Sequence, residues 1–269
     1  MKRTLRILRG VPPAGRFEEY QVDLDDRATL LDALEVLRTG AVPDLAYRHS
    51  CHHGSCGTCG VRIDGKEALA CLMPLSSLPP EARVEPLRVF EPLGAGGDLA
   101  VDPGLLFRAL PEGSTRLRRS DGSPAVPAAG PAAAMPADAA SASVSAAAVP
   151  SAVPAPADDA DPVPASDGAA SPNAAAPVRF EDCIECGLCV SACPVCIGGA
   201  PFMGPAALAS LSRECANRPE RRPELHRRAA EADGVEACDR HFACSKACPR
   251  NVAPGRHIQG LRKELAGLS

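Results

Sequence analysis

Cys183-Ile184-Glu185-Cys186-Gly187-Leu188-Cys189-Val190-Ser191-Ala192-Cys193-Pro194 reads C-x2-C-x2-C-x3-C-P. This run ligates cubane iron–sulfur clusters, and in two-cluster proteins its fourth cysteine serves the other cluster. Three thiolates two residues apart can wrap one corner of a cube, while Pro194 turns the chain away and sends Cys193 elsewhere. A second run lies downstream, Cys238-Asp239-Arg240-His241-Phe242-Ala243-Cys244-Ser245-Lys246-Ala247-Cys248-Pro249. It departs from the first at one place: His241 stands where C-x2-C spacing would put a cysteine. Crossing the two runs predicts a [4Fe–4S] cluster on Cys183, Cys186, Cys189 and Cys248. Cys193, Cys238 and Cys244 then hold another cluster by three thiolates only, and a cube with one unprotected corner loses that iron to become [3Fe–4S]. Two roles stay open for His241. It fills the vacant corner without bonding, or it ligates a fourth iron, since histidine replaces cysteine in some clusters.

A third motif lies upstream. Cys51, Cys56, Cys59 and Cys71 give C-x4-C-x2-C followed by x11-C, and the first element is the plant-type [2Fe–2S] signature. Gly54, Gly57 and Gly60 let the loop fold tightly and aim N–H groups at sulfur, which stabilises a negatively charged cluster. A zinc knot prefers paired C-x2-C elements instead. Of the 13 cysteines, only Cys196 and Cys215 are left over, and both read as small buried apolar residues. Met1 to Gly10 is basic but lacks the apolar core of a secretory signal, so a reducing compartment is expected, where clustered cysteine means metal more often than disulfide. The longest uncharged stretch, Ala139 to Ala157, is Ala and Ser interrupted by Pro150, Pro154 and Pro156. It is too weakly apolar to insert in a membrane.

The chain around these motifs suggests an α+β protein. Leu5 and Ile7, then Tyr20, Val22 and Leu24, alternate with polar neighbours and predict two strands, with Pro12, Pro13 and Gly15 at the turn. Phe17 falls out of that phase, which points to a bulge or a late strand start. A helix from Leu30 to about Arg38 follows, with Thr29 and Asp32 as a capping box and Gly40 as its stop. Val61 to Ile63 and Arg83 to Val84 read as further short strands. The expected N-terminal domain, 1–110, is a β-grasp, ferredoxin-like [2Fe–2S] domain. Pro92 to about Leu117 reads as a connection. Asp121 to Pro177 holds 23 Ala, 11 Pro, six Asp, no aromatic and no basic residue. Such a stretch buries too little apolar surface to offset chain entropy, so 111–178 is expected to be a linker. From 179 to 269 the chain is expected to be an all-α two-cluster domain, with helices over Pro205 to Ser212, Pro223 to Ala232 and Arg256 to Leu268.

A short-spaced [2Fe–2S] domain followed by a two-cluster helical domain resembles the iron–sulfur subunit of succinate dehydrogenase and fumarate reductase. The matching stretches are Tyr47-Arg48-His49-Ser50-Cys51, Cys56-Gly57-x-Cys59, Asp64-Gly65, Leu69-Ala70-Cys71, Glu85-Pro86-Leu87, Asp98 to Asp102, both Cys-Pro runs and Pro254-Gly255-Arg256. The resemblance implies an electron-transfer subunit with no catalytic residue of its own. Its partners would be a catalytic subunit containing FAD, where succinate and fumarate interconvert, and a membrane cytochrome b anchor that reaches the quinone pool. No nucleic acid is expected. The implied location is peripheral, on the cytoplasmic face of the inner membrane.

Many members carry aromatic residues soon after the first Cys-Pro and a histidine after the next cluster cysteine. Here Val195 to Gly199 and Asp239 take those places. The likeness is closer to the menaquinone-linked type, whose dihaem (haem b) anchor supplies the quinone site. Two rival readings are a stand-alone multi-cluster ferredoxin, or the iron–sulfur subunit of another flavin-linked oxidoreductase. A third, a zinc-binding scaffold, predicts no visible absorbance.

Overall fold

Strand β1 (Lys2–Arg9) runs through the middle of the N-terminal half, with Leu5 and Ile7 fully buried on its inner side. Strand β2 (Arg16–Asp23) pairs with it antiparallel in unbroken register from Lys2↔Asp23 to Arg9↔Arg16. Phe17 therefore marks neither a bulge nor a late start. It lies on the outer face, where the Arg83 guanidinium is 4.4 Å and that of Arg6 5.8 Å from its ring centre. These cation–π contacts explain an aromatic residue out of the core phase.

Strands β3 (Gly60–Ile63), β4 (Lys66–Leu69) and β5 (Glu81–Glu85) complete a five-stranded sheet of order β2-β1-β5-β3-β4. The pairing of β1 with β5 is parallel and the others are antiparallel. Helix α1 (Leu30–Thr39) buries Leu30, Leu31, Ala33, Leu34 and Leu37 in the same core as Leu5, Ile7, Ala82 and Val84. Its capping box is formed: Asp32 N–H donates to Thr29 Oγ1 at 3.2 Å and Thr29 N–H donates to Asp32 Oδ2 at 2.8 Å.

The structure is a computed structural model that describes residues 2–11, 14–93, 97–110 and 183–268. The expected linker, 111–178, lies outside them. The stretch after Pro92, expected as a plain connection, is built into the fold. Pro92 bridges Val101, and α2 (Gly104–Ala109) follows with Leu106 buried. Asp98 is the anchor. Its buried carboxylate accepts from the N–H groups of Gly10 at 2.6 Å and Ala46 at 2.9 Å and lies 3.1 Å from Arg9 Nε.

The C-terminal half is helical: α3 (Leu188–Ser191), α4 (Pro194–Ile197), α5 (Pro205–Asn217), α6 (Arg222–Ala229), α7 (Ala243–Lys246) and α8 (Pro254–Ala266). Helix α5 runs past the expected end at Ser212 because Leu211 and Cys215 continue its buried face. Helix α6 stops at Ala229, before Ala232, and α8 begins on Pro254, whose fixed φ suits a first turn. Leu208, Leu211, Leu225, Val235, Ile258 and Leu261 form the core of this half.

The two halves pack on one another in a single compact unit. Ser191, fully buried, accepts from the N–H of Arg88 at 2.9 Å and donates to Glu67 Oε1 at 3.0 Å, while Arg88 Nη2 reaches the same oxygen at 3.1 Å.

Candidate metal centres

The four cysteines predicted for the first centre come together where the chain leaves α1 and enters β3. Cys51 Sγ accepts backbone N–H bonds from Ser55 and from Cys56, each at 3.3 Å. Cys56 Sγ accepts from Cys51 N–H at 3.5 Å and lies 3.1 Å from Thr58 Oγ1. Burial pushes the Cys51 thiol up, but hydrogen bonds from Ser55, His53 and Cys56 outweigh it and bring the group down to about 5. This loop is thus preset for a thiolate. Cys59 is pushed up to about 12, first by burial and then by the neighbouring Cys71 and Cys56. Cys71 is brought up to it by the turn after β4, where Ala70 N–H donates to Cys59 C=O at 3.0 Å. Two glycines make the loop possible. Gly54 (φ +77) and Gly57 (φ +73) are left-handed, and a Cβ on Gly54 would lie 2.8 Å from Leu72 Cδ1.

Cys183, Cys186, Cys189 and Cys248 line one small apolar cavity of about 30 Å³. Burial raises the thiols of Cys183 and Cys186, the latter to about 12, and holds Cys189 well above the ordinary value; all three also feel Cys248. Desolvated thiols become thiolates when a cation compensates the charge, so this donor set fits an iron–sulfur cube. Gly187 (φ +77) turns the chain into α3, and a Cβ there would strike Phe90 at 2.7 Å.

Cys193, Cys238 and Cys244 form the third group. Burial raises Cys244, and the charges of Cys193 and Cys238 add to that shift. Cys193, the N-cap of α4, receives a hydrogen bond from Cys196 that outweighs burial and brings it down to about 6. The surroundings of Cys196 are not those of the apolar filler expected from the sequence. The structure puts it half-buried against the Cys193 sulfur, within electrostatic reach of Cys189 and Cys244. Cys215 matches its reading, 2% exposed among the α5 leucines and pushed up to about 11 by burial. The His241 side chain is 51% exposed, with Nε2 3.9 Å from Asp239 Oδ2, and sits between the left-handed residues Arg240 and Phe242.

The three groups stand in series. A Cβ on Gly57 would meet Ile184 C=O at 2.7 Å and Cys186 Cβ at 2.9 Å, so the first loop lies directly on the second. Cys189 of the second group feels Cys244 of the third. Sequence reasoning missed Ser191, Glu67 and Phe90, which join the halves around these centres. A buried hydroxyl inside a cysteine spacer carries no signal in the spacing itself.

Comparison with known proteins gives a consistent picture. A family described as "2Fe-2S iron-sulfur cluster binding domain" matches residues 4–107, and one described as "4Fe-4S dicluster domain" matches 179–252. The chain is 31% identical over 262 residues to the fumarate reductase iron–sulfur subunit of Mycobacterium tuberculosis, covering 95% of this chain and 88% of the relative. It is 24% identical to that of Wolinella succinogenes, covering 99% and 98%. Among solved structures, a chain of the Mycobacterium smegmatis Sdh1 complex in the apo form superposes with a TM-score of 0.63 at 20% identity, covering all of this chain and 97% of that one.

Proposed function

The chain belongs to the family of fumarate reductase and succinate dehydrogenase iron–sulfur subunits, and from that membership we propose that it carries electrons between an FAD-bearing flavoprotein and a membrane cytochrome b anchor that reaches the quinone pool. The observation that carries this reading is the serial packing of the three cysteine groups: Gly57 lies on Ile184 and Cys186, and α3, which bears Cys189, packs on α7, which bears Cys244. In it, Cys51, Cys56, Cys59 and Cys71 hold a [2Fe–2S] cluster, Cys183, Cys186, Cys189 and Cys248 a [4Fe–4S] cluster, and Cys193, Cys238 and Cys244 a [3Fe–4S] cluster.

When bound, these groups supply one-electron centres in a row, with potentials set by cluster type, hydrogen bonds to sulfur and solvent exposure. The protein's part is positional and electrostatic. Ser55 and Cys56 N–H groups neutralise charge on Cys51 Sγ. Leu87, Phe90 and Leu188 are buried at the junction of the first two groups, where they pack against Gly60 and Gly187. Ser191, Glu67 and Arg88 fix the separation of the halves. Among the described residues no helix is long and apolar enough to cross a membrane, so attachment there falls to a partner. The menaquinone-linked type, with a dihaem anchor, is the version we favour. Recovery of a haem-free anchor in a pull-down would count against it.

The test is EPR of the anaerobically purified full chain, oxidised and then reduced. The expected result is a [3Fe–4S] signal on oxidation, a [2Fe–2S] signal on reduction, and co-purification of a flavoprotein containing FAD. Iron-replete protein without the oxidised signal would overturn the three-thiolate assignment and turn attention to His241. A cluster-loaded monomer that recruits no flavoprotein would sink the relay.

A further inference from the structure

Three donor atoms outside the cysteine groups converge beside the first loop. His49 Nδ1 lies 3.2 Å from His52 Nε2 and 3.3 Å from Glu35 Oε1, and all three donors lie within 4.8 Å of one another. Zinc bonded at ~2.0–2.1 Å in a tetrahedron spaces its ligands about 3.3–3.4 Å apart. Two of the three edges already have that length.

The three donors face one another across a short gap. Glu35 Oε2 accepts from Arg38 Nη2 at 3.1 Å and Tyr47 bonds the same carboxylate, while Oε1 is closed off from solvent and faces His49 Nδ1 at 3.3 Å. His49 Nδ1 faces both a carboxylate oxygen and a second imidazole nitrogen. If it carries the proton, it can donate fully to only one of them. If His52 donates to it, two lone pairs oppose each other at Glu35. A cation accepts all three lone pairs at once. The backbone points the same way. His52 is left-handed (φ +61), an uncommon conformation for a residue with a Cβ, and it turns the ring back edge-on to His49, with ring centres 5.4 Å apart.

We propose that Glu35, His49 and His52 form a surface site for a divalent transition metal of the zinc type, with the fourth position open to water. Two imidazoles and one carboxylate are the donor set of open zinc sites. Glu35 is on α1, fixed by the capped helix, whereas both histidines flank Cys51, so the site ties the first cysteine loop to the helix. It is independent of the electron-transfer reading.

The test uses the full chain with its clusters in place, equilibrated with Zn2+ and washed, with zinc and iron counted together. One retained zinc per chain at unchanged iron is expected, with affinity lowered tenfold or more in His49→Ala, His52→Ala and Glu35→Gln. The reduced [2Fe–2S] EPR signal checks that the loop is intact in each variant. Glu35→Gln lies outside the cysteine loop and decides the matter if the histidine variants lose that signal. Zinc-edge X-ray absorption must show nitrogen and oxygen neighbours at ~2.0–2.1 Å; sulfur at ~2.3 Å would place the zinc on cysteine and overturn the proposal. So would zinc retained equally by the parent and Glu35→Gln, or no retained zinc at all.

Discussion

Gly57 shows how much a single missing side chain can do. Its left-handed backbone is open to glycine at little strain, and the space where a Cβ would go is filled by Ile184 C=O and Cys186 Cβ. Neither neighbour can rotate away, because one is backbone and the other is held by its cluster-loop position. Gly57→Ala is therefore expected to push the two loops apart while leaving both sets of cysteines present. The measurement is magnetic coupling between the first and second reduced centres: weakened relaxation enhancement in an iron-replete variant is expected, and unchanged coupling would show that the contact is not what sets the spacing. The role of Gly57 was legible in the sequence only in part. Its place in a tight cysteine loop was plain from C-x4-C-x2-C, but its contact with Cys186 bridges more than a hundred residues and leaves no local pattern.

At the scale of the element, the proposed assignment has the two Cys-Pro runs trade their last cysteines. Cys248 lines the same cavity as Cys183, Cys186 and Cys189, whereas Cys193 lies with Cys244. Cys248→Ser should remove the [4Fe–4S] signal and spare the oxidised [3Fe–4S] signal, and Cys193→Ser should do the reverse. If each variant instead loses the cluster of its own run, the crossed assignment is wrong. A second element-level prediction concerns the end of α6. The Arg228 guanidinium donates to both oxygens of Asp233, at 2.7 and 2.9 Å, and holds that carboxyl below its ordinary value, with burial opposing. A depressed folded value means that the stabilisation is present above the unfolded carboxylate value of about 3.9 and is lost as pH falls through the folded one. Melting temperature against pH should therefore fall less steeply in acid for Asp233→Asn than for the parent. Helices α2, α3, α4 and α7, at four to six residues each, were too short to show a period, whereas α1, α5, α6 and α8 were readable from their start signals and apolar spacing. Their ends were not, because the last turn of α5 is decided by Cys215 finding a place among leucines. Strand β4 was likewise hidden, at four residues with a single buried position.

For the whole molecule, metal substitutes for core. Helices α3, α4 and α7 have four residues each, well below the length at which a helix holds itself in water. All three adjoin cluster cysteines. Removing iron with a chelator under reducing conditions is expected to release the amides of 183–197 and 238–249 to exchange first, while β1, β5 and α1, packed around Leu5, Ile7 and Leu34, stay protected. Uniform exchange across both halves would contradict this division. Ser191 gives the same architecture a historical dimension. In the crossed assignment the three residues between Cys189 and Cys193 set the span of chain from one cluster to the next, and one of them, Ser191, is also read by the other half of the protein through Arg88 and Glu67. A spacer that a motif treats as blank is thus constrained twice, once in number and once in identity. A lineage could not swap in the dicluster segment of an unrelated carrier, however well its cysteines matched, without also importing a small buried hydroxyl at that one position.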